Sequence, residues 1–210
     1  MSIAIIDCGA GNLHSVHKAF AHVMGDKASN LRIARSAADL KGASHIVLPG
    51  VGAFAHCMQG LKALDGVIDY LNEQVLEGQT PFLGICVGMQ MLLETGEEFG
   101  EHAGLGWFKG RVKKLTPNDH TLRIPHMGWN QLQFAAPQHP LLAGISAGDY
   151  AYFVHSYHAC VACEDDILAS VDYGGQVVAM IGRAHIAATQ FHPEKSQRLG
   201  LTLIRNFTAF

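Results

Sequence analysis

Three short apolar runs, each stopped by a glycine-bearing turn, constrain this chain more than any other feature. Ile3 to Asp7 ends in Cys8-Gly9-Ala10-Gly11, after which Asn12 stands as N-cap candidate for a helix over roughly 13–24. His45 to Leu48 stops at Pro49-Gly50-Val51-Gly52, and Pro81 to Ile85 runs into Cys86 and a second helical pattern from Val87 to Leu93. Between the last two, Val67, Ile68, Leu71, Val75 and Leu76 recur at helical spacing, predicting an amphipathic helix over roughly 65–77 ended by Gly78. Buried strands alternating with helices require crossover connections, so the pattern predicts a doubly wound, mostly parallel sheet flanked by helices.

After Gly104 the texture changes to shorter β-like runs: Gly110 to Leu115, Trp129 to Phe134, Tyr150 to Val154, Ile167 to Val171 and Gln176 to Ile181. These predict antiparallel strands added in the C-terminal half, before a last helix that Ser196 is expected to cap and that runs to about Phe207. With 210 residues, 49% hydrophobic and 16% charged, and without repeats or linkers, the chain reads as a single α/β domain over 1–210. A net charge of −3 gives no electrostatic reason to expect nucleic acid or an anionic membrane surface. No apolar stretch approaches the roughly 18 residues of a membrane span, and the N-terminus lacks the basic segment of a signal peptide, so a cytoplasmic protein is expected.

The odd set of five cysteines, irregularly spaced, argues against a disulfide framework. Cys160-Val161-Ala162-Cys163 matches C-x-x-C, but it follows a β-like stretch and has no second pair, so it is read as chance. Thirteen histidines are scattered without metal-ligand spacing, and no metal or other cofactor is expected.

Gly84-Ile85-Cys86-Val87-Gly88 has the nucleophile-elbow pattern with Cys in place of Ser, at a strand-to-helix junction. Glycines on both sides permit the tight turn, the helix start favours a thiolate, and the Val87 N–H faces a developing oxyanion. A buried structural cysteine between two packing glycines is the bland alternative. His192-Pro193-Glu194 tips the balance, because the extended conformation that Pro193 favours for His192 turns both side chains to one side. Doubly wound sheets gather strand C-termini at one edge, which would bring these residues to Cys86. Cys, His and Glu together point to nucleophilic acyl transfer. Two glycines around Val51 would let that loop present N–H groups to an oxyanion. By contrast, Gly9-Ala10-Gly11-Asn12 lacks a full phosphate-binding pattern and reads as a tight turn.

The elbow, the HPE segment and the P-G-x-G loop resemble the class I (triad) glutamine amidotransferases. PGVGAF (residues 49–54), PHMGWN (125–130), Phe153-Val154-His155-Ser156-Tyr157 and Gln190 to Ser196 narrow the resemblance to the glutaminase subunits of imidazole glycerol phosphate synthases. The resemblance departs at Cys8, where an aromatic is usual, at Ala10, where Met is, and at Val87, where Leu is.

The resemblance implies a glutaminase with Cys86 as nucleophile, His192 as acid–base and Glu194 orienting it. Val51 and Val87 would hold the oxyanion. Gly52, Gln90, Glu98, Ser156 and Tyr157 would bind glutamine. It further implies a heterodimer with a (β/α)₈ cyclase, with Trp129, Asn130 and Lys195 at the interface. A chain nearly inactive without that cyclase is expected, because a glycine-flanked loop can hold more than one backbone state. A glutaminase of another ammonia-channelling synthase, a Cys hydrolase acting alone, and a non-enzymatic protein on the same scaffold stand as rival readings.

Overall fold

The computed structural model describes residues 1–9 and 12–210. The tight turn read at Gly9-Ala10-Gly11-Asn12 therefore lies, at Ala10 and Gly11, outside the described residues. The first half runs β1 (Ile3–Ile6), α1 (Leu13–Met24), β2 (Leu31–Ala34), α2 (Ala37–Leu40), β3 (His45–Gly50), α3 (Phe54–Ala63), α4 (Val67–Leu71), β4 (Phe82–Cys86) and α5 (Val87–Gln90). Strands dominate the second half: β5 (Leu93–Gly96), β6 (His102–Ala103), β7 (Phe108–Lys114), β8 (His126–Gln131), β9 (Gln133–Phe134), β10 (Tyr150–His155) and β11 (Tyr157–Val161). There follow β12 (Ile167–Asp172), β13 (Gln176–Arg183), β14 (Ile186–Thr189) and the closing helix α6 (Gln197–Thr208).

The main sheet has eight strands in the order β2-β1-β3-β4-β14-β13-β12-β9. Strands β2 to β14 in that order are parallel, and β13, β12 and β9 continue it antiparallel. Every residue of β1, β3, β4 and β14 is buried, which is why each reads as an unbroken apolar run rather than an alternation. Strand β8 instead alternates, with His126 buried and Met127 and Trp129 exposed, and it pairs with β10 in a separate two-stranded sheet. A third sheet, β11-β7-β5-β6, follows the elbow.

Four local expectations change. The helix expected over 65–77 is α4 alone, continued by a wider π-type turn over Asn72–Glu77, and Gly78 is not left-handed (φ −81°). The helix expected from Val87 to Leu93 ends at Gln90, because Leu93 opens β5 with its side chain fully buried. Asn12 is left-handed (φ 81°) and its side chain makes no cap bond to α1. Nor does Ser196 cap α6: its Oγ donates to the His192 carbonyl at 2.7 Å and accepts from the Tyr152 N–H at 3.0 Å. Both polar side chains have been drawn from helix capping to the loop that carries His192.

Register decides what meets at the sheet edge. Gly50 on β3 lies opposite Cys86 on β4, and Thr189 on β14 lies opposite Ile85. Parallel strands end on the same side, so the segments after β3 and β14 flank Cys86.

Candidate active site

The elbow is built by close backbone approach. Cys86 ends β4 with φ 57° and ψ −111°, a left-sided conformation costly for a residue with a Cβ. A Cβ on Gly88 would sit 1.9 Å from the Leu48 carbonyl oxygen, and one on Gly84 would sit 2.8 Å from that of Gly88. Only glycine lets α5 start this close to β3, and that closeness brings the sulfur beside the Gly50–Gly52 loop. Val87 opens α5, so its N–H has no acceptor one turn back within the helix.

His192 and Glu194 arrive from the other flank. His192 Nδ1 is 2.7 Å from Glu194 Oε1, and both side chains are almost wholly buried. Asn12, at the start of α1, donates its side-chain amide to the same Glu194 oxygen. The opposite ring nitrogen, His192 Nε2, is buried and has no hydrogen-bond partner among the described residues. Burial favours the neutral ring, but the Cys86 sulfur and the Glu194 carboxylate outweigh it and hold His192 above the usual histidine range. A cysteine sulfur beside a histidine held by a carboxylate is the arrangement needed for nucleophilic attack followed by proton donation.

A cavity of about 480 Å³ opens over Cys86, lined by the loop at Val51 and Gly52, by Val87 and Gln90, by Glu98, and by Ser156, Tyr157 and His192. Such a space suits a free amino acid. All the residues expected to bind glutamine or its oxyanion line it. Glu98 reaches it by an unforeseen route: Oε2 accepts from the Phe54 N–H at 2.8 Å, closing the start of α3, where Ala53 supplies no cap. The Val51 carbonyl accepts from Cys57 Sγ at 3.4 Å, and burial pushes that thiol up to about 12, so it remains a donor.

Gln90 is buried and spends its amide N–H groups on the Tyr157 carbonyl at 2.9 Å and on Gln190 Oε1 at 3.0 Å. The same Tyr157 carbonyl faces His155 Nδ1 at 2.9 Å, which makes that nitrogen the donor and leaves Nε2 to accept from His126 Nδ1 at 3.0 Å. Burial pushes His126 to about 4 and, with neighbouring histidines, His155 to about 3, so both rings are neutral at pH 7.

The expected interface residues separate. Trp129 is 45% exposed on β8 and stands edge-on to Tyr152, over whose ring Lys195 Nζ lies at 5.7 Å. Asn130 turns inward instead, donating to the Asp172 carbonyl at 2.9 Å and lying 3.3 Å from His126 Nε2. It therefore supports β8 from behind. Cys160 is half-buried on β11 and Cys163 is exposed, both as free thiols. The contacts that Asn12, Gln190, Cys57 and the His126–His155 pair make around the site had no spacing signature, because each runs across a fold that only the register reveals.

Residues 4–209 match the family model for class I glutamine amidotransferases. The chain belongs to that family. It is 52% identical over 209 residues to the imidazole glycerol phosphate synthase subunit HisH of Rhodospirillum rubrum, covering 99% of this chain and 98% of that one. The protein of the same name from Zymomonas mobilis is 49% identical over 206 residues, covering 98% and 94%. Among solved structures, a glutamine amidotransferase superposes with a TM-score of 0.73 at 18% identity, over 100% of this chain and 98% of that one. A glutamine amidotransferase from Thermotoga maritima gives 0.62 at 15% identity, over 92% and 76%. The two structural likenesses establish the fold.

Proposed function

We propose that the chain is the glutaminase subunit of imidazole glycerol phosphate synthase in histidine biosynthesis, and that Cys86, His192 and Glu194 carry its reaction. The observation behind this is the convergence of an elbow cysteine and a carboxylate-held histidine in one amino-acid-sized cavity, in a chain about half identical to HisH proteins over its whole length.

Cys86 Sγ attacks the side-chain carbonyl carbon of glutamine. The oxygen that becomes negative is held by the Val87 N–H and by the loop at Val51. His192 Nε2 gives its proton to the amide nitrogen, the carbon–nitrogen bond breaks, and ammonia leaves a thioester on Cys86. Water then attacks the thioester carbonyl, surrendering its proton to His192, and glutamate departs as the sulfur is restored. Glu194 keeps its oxygen on His192 Nδ1 throughout, so Nε2 always faces the reacting atoms. Glu98 complements the substrate's ammonium group by charge.

Free ammonia is protonated in neutral water and lost as a nucleophile, so the product must pass under cover to an acceptor. The partner is the cyclase subunit of the same synthase, a separate (β/α)₈ protein forming a heterodimer with this chain. The exposed Met127, Trp129 and Tyr150 on adjacent β8 and β10, with Lys195 nearby, form the apolar surface best suited to receive it. Partner binding is read as resetting the Val51 loop, since Gly52 has φ +96° with open space around it. We take residues 1–210 as one unit, supported by a hydrophobic core running from Ile3 to Phe207, and place it in the cytoplasm, where free thiols such as Cys160 and Cys163 persist.

Glutamate release from glutamine, measured with and without cyclase and its nucleotide, tests this reading. Turnover that rises with the partner and disappears in Cys86→Ala supports it. Unchanged turnover in Cys86→Ala refutes the assignment of the nucleophile.

A further inference from the structure

Gln190 is fully buried at the end of β14, two residues before His192, and the chemistry above gives it no part. Its Nε2 lies 3.7 Å from Cys86 Sγ as a donor, and its Oε1 accepts from Gln90 Nε2 at 3.0 Å. Gln90 Nε2 also donates to the Tyr157 carbonyl, which can only accept. Turning the Gln90 amide over would set two acceptors face to face at Tyr157. Turning Gln190 over would set two NH₂ groups together. The Tyr157 carbonyl therefore fixes both amides, and Gln90 Oε1 is left as an acceptor in a residue that lines the cavity.

We propose that Gln190 is a positioning residue of the glutaminase: its N–H steadies the Cys86 thiolate, and its carbonyl holds Gln90 so that Gln90 Oε1 faces the α-ammonium group of glutamine. One buried amide thus links the nucleophile to the group that recognises the substrate. This rests on the glutaminase reading. Among the described residues, His192, held by Glu194, and Cys57 on α3 interact with the sulfur, and Glu98 lines the same cavity.

Gln190→Met removes both interactions, whereas Gln190→Glu keeps the acceptor for Gln90 and loses the donor to sulfur. In the cyclase complex, the pH dependence of Cys86 alkylation by iodoacetamide, without glutamine, reads the sulfur alone. The profile should move to higher pH by about 0.5–1 unit in Gln190→Met. It should move further in Gln190→Glu, where a carboxylate opposes a second negative charge. The KM for glutamine should follow the opposite order, rising several-fold more in Gln190→Met than in Gln190→Glu. A residue that only fills space produces no such reversal. Wild-type alkylation profiles in both variants, with cyclase binding and melting temperature retained, would overturn the proposal. If Gln190→Met fails to fold, the isosteric Gln190→Glu decides by its alkylation profile. Failure of the wild-type complex to release glutamate would remove the glutaminase reading while leaving the sulfur result standing.

Discussion

Gly88→Ala offers a severe test of how the elbow works. The new Cβ would lie 1.9 Å from the Leu48 carbonyl oxygen and 3.0 Å from its carbon. Relief to an ordinary contact of about 3.4 Å needs a displacement of about 1.5 Å between α5 and β3, both backbone. Leu48 stands immediately before Pro49 and Gly50, so whichever side yields, the Val51 loop and the Val87 N–H move apart. Overpacking of this kind costs about 1–3 kcal/mol of stability. A misplacement of about 1 Å between reacting groups costs about 100-fold in rate. We expect kcat for glutamine hydrolysis by the cyclase complex to fall by about 100-fold or more, while cyclase binding persists because the atoms that the new Cβ meets belong to Leu48 and Pro49, not to β8 or β10. Steady-state kinetics with a binding titration read both quantities. A Gly88→Ala complex with wild-type kcat would refute the claim that close approach of α5 to β3 assembles the oxyanion site.

Other perturbations separate the remaining groups. Asn12→Ala removes a donor from Glu194, leaving its contact with His192, so kcat should drop about 10-fold with KM for glutamine little changed; an unaltered kcat would show that Glu194 needs no second anchor. Glu98→Gln keeps an acceptor for the Phe54 N–H but loses its charge, so KM should rise about 10-fold or more with the melting temperature retained; an unchanged KM would remove Glu98 from ammonium recognition. His126 and His155 are depressed to about 4 and about 3, so below about pH 6.5 the unfolded chain binds protons that the folded one refuses. Their stabilisation is complete above that pH and each loses up to about 2 kcal/mol by pH 5, whereas His192, raised by its neighbours, contributes fully below about 6.5 and loses its share as pH rises. Urea midpoints should therefore fall between pH 7.5 and 5, and a flat profile would contradict the neutral His126–His155 pair.

The parallel half of the fold was legible because β1, β3 and β4 are buried on both faces and stand as apolar runs between glycine turns. Strand β14 is likewise buried at every residue. Helix α3 escaped notice, since PGVGAF draws attention to its loop and the helix that follows lacks a side-chain cap of its own. The helix from Val87 was overextended because Met91, Leu92 and Leu93 continue an apolar pattern that in fact enters β5. Cys86, His192 and Glu194, which the structure brings together, stood out in the sequence through their motifs. The groups that hold them did not: Asn12 and Ser196 resemble ordinary helix caps, and only the tertiary structure turns the one to Glu194 and the other to the His192 carbonyl. Gln190 likewise looks like the end of a buried strand until register sets it beside Cys86.

Cys86, His192 and Glu194 are proposed to make ammonia for a covered transfer to the cyclase. The most direct test supplies the heterodimer with nucleotide substrate, glutamine labelled with ¹⁵N in the side-chain amide, and a large excess of unlabelled ammonium at neutral pH. Mass spectrometry of the imidazole product then reads the source of the nitrogen. The product should carry ¹⁵N with little dilution, and lose that label in Cys86→Ala. Product carrying mainly unlabelled nitrogen while wild-type enzyme consumes glutamine would contradict covered transfer.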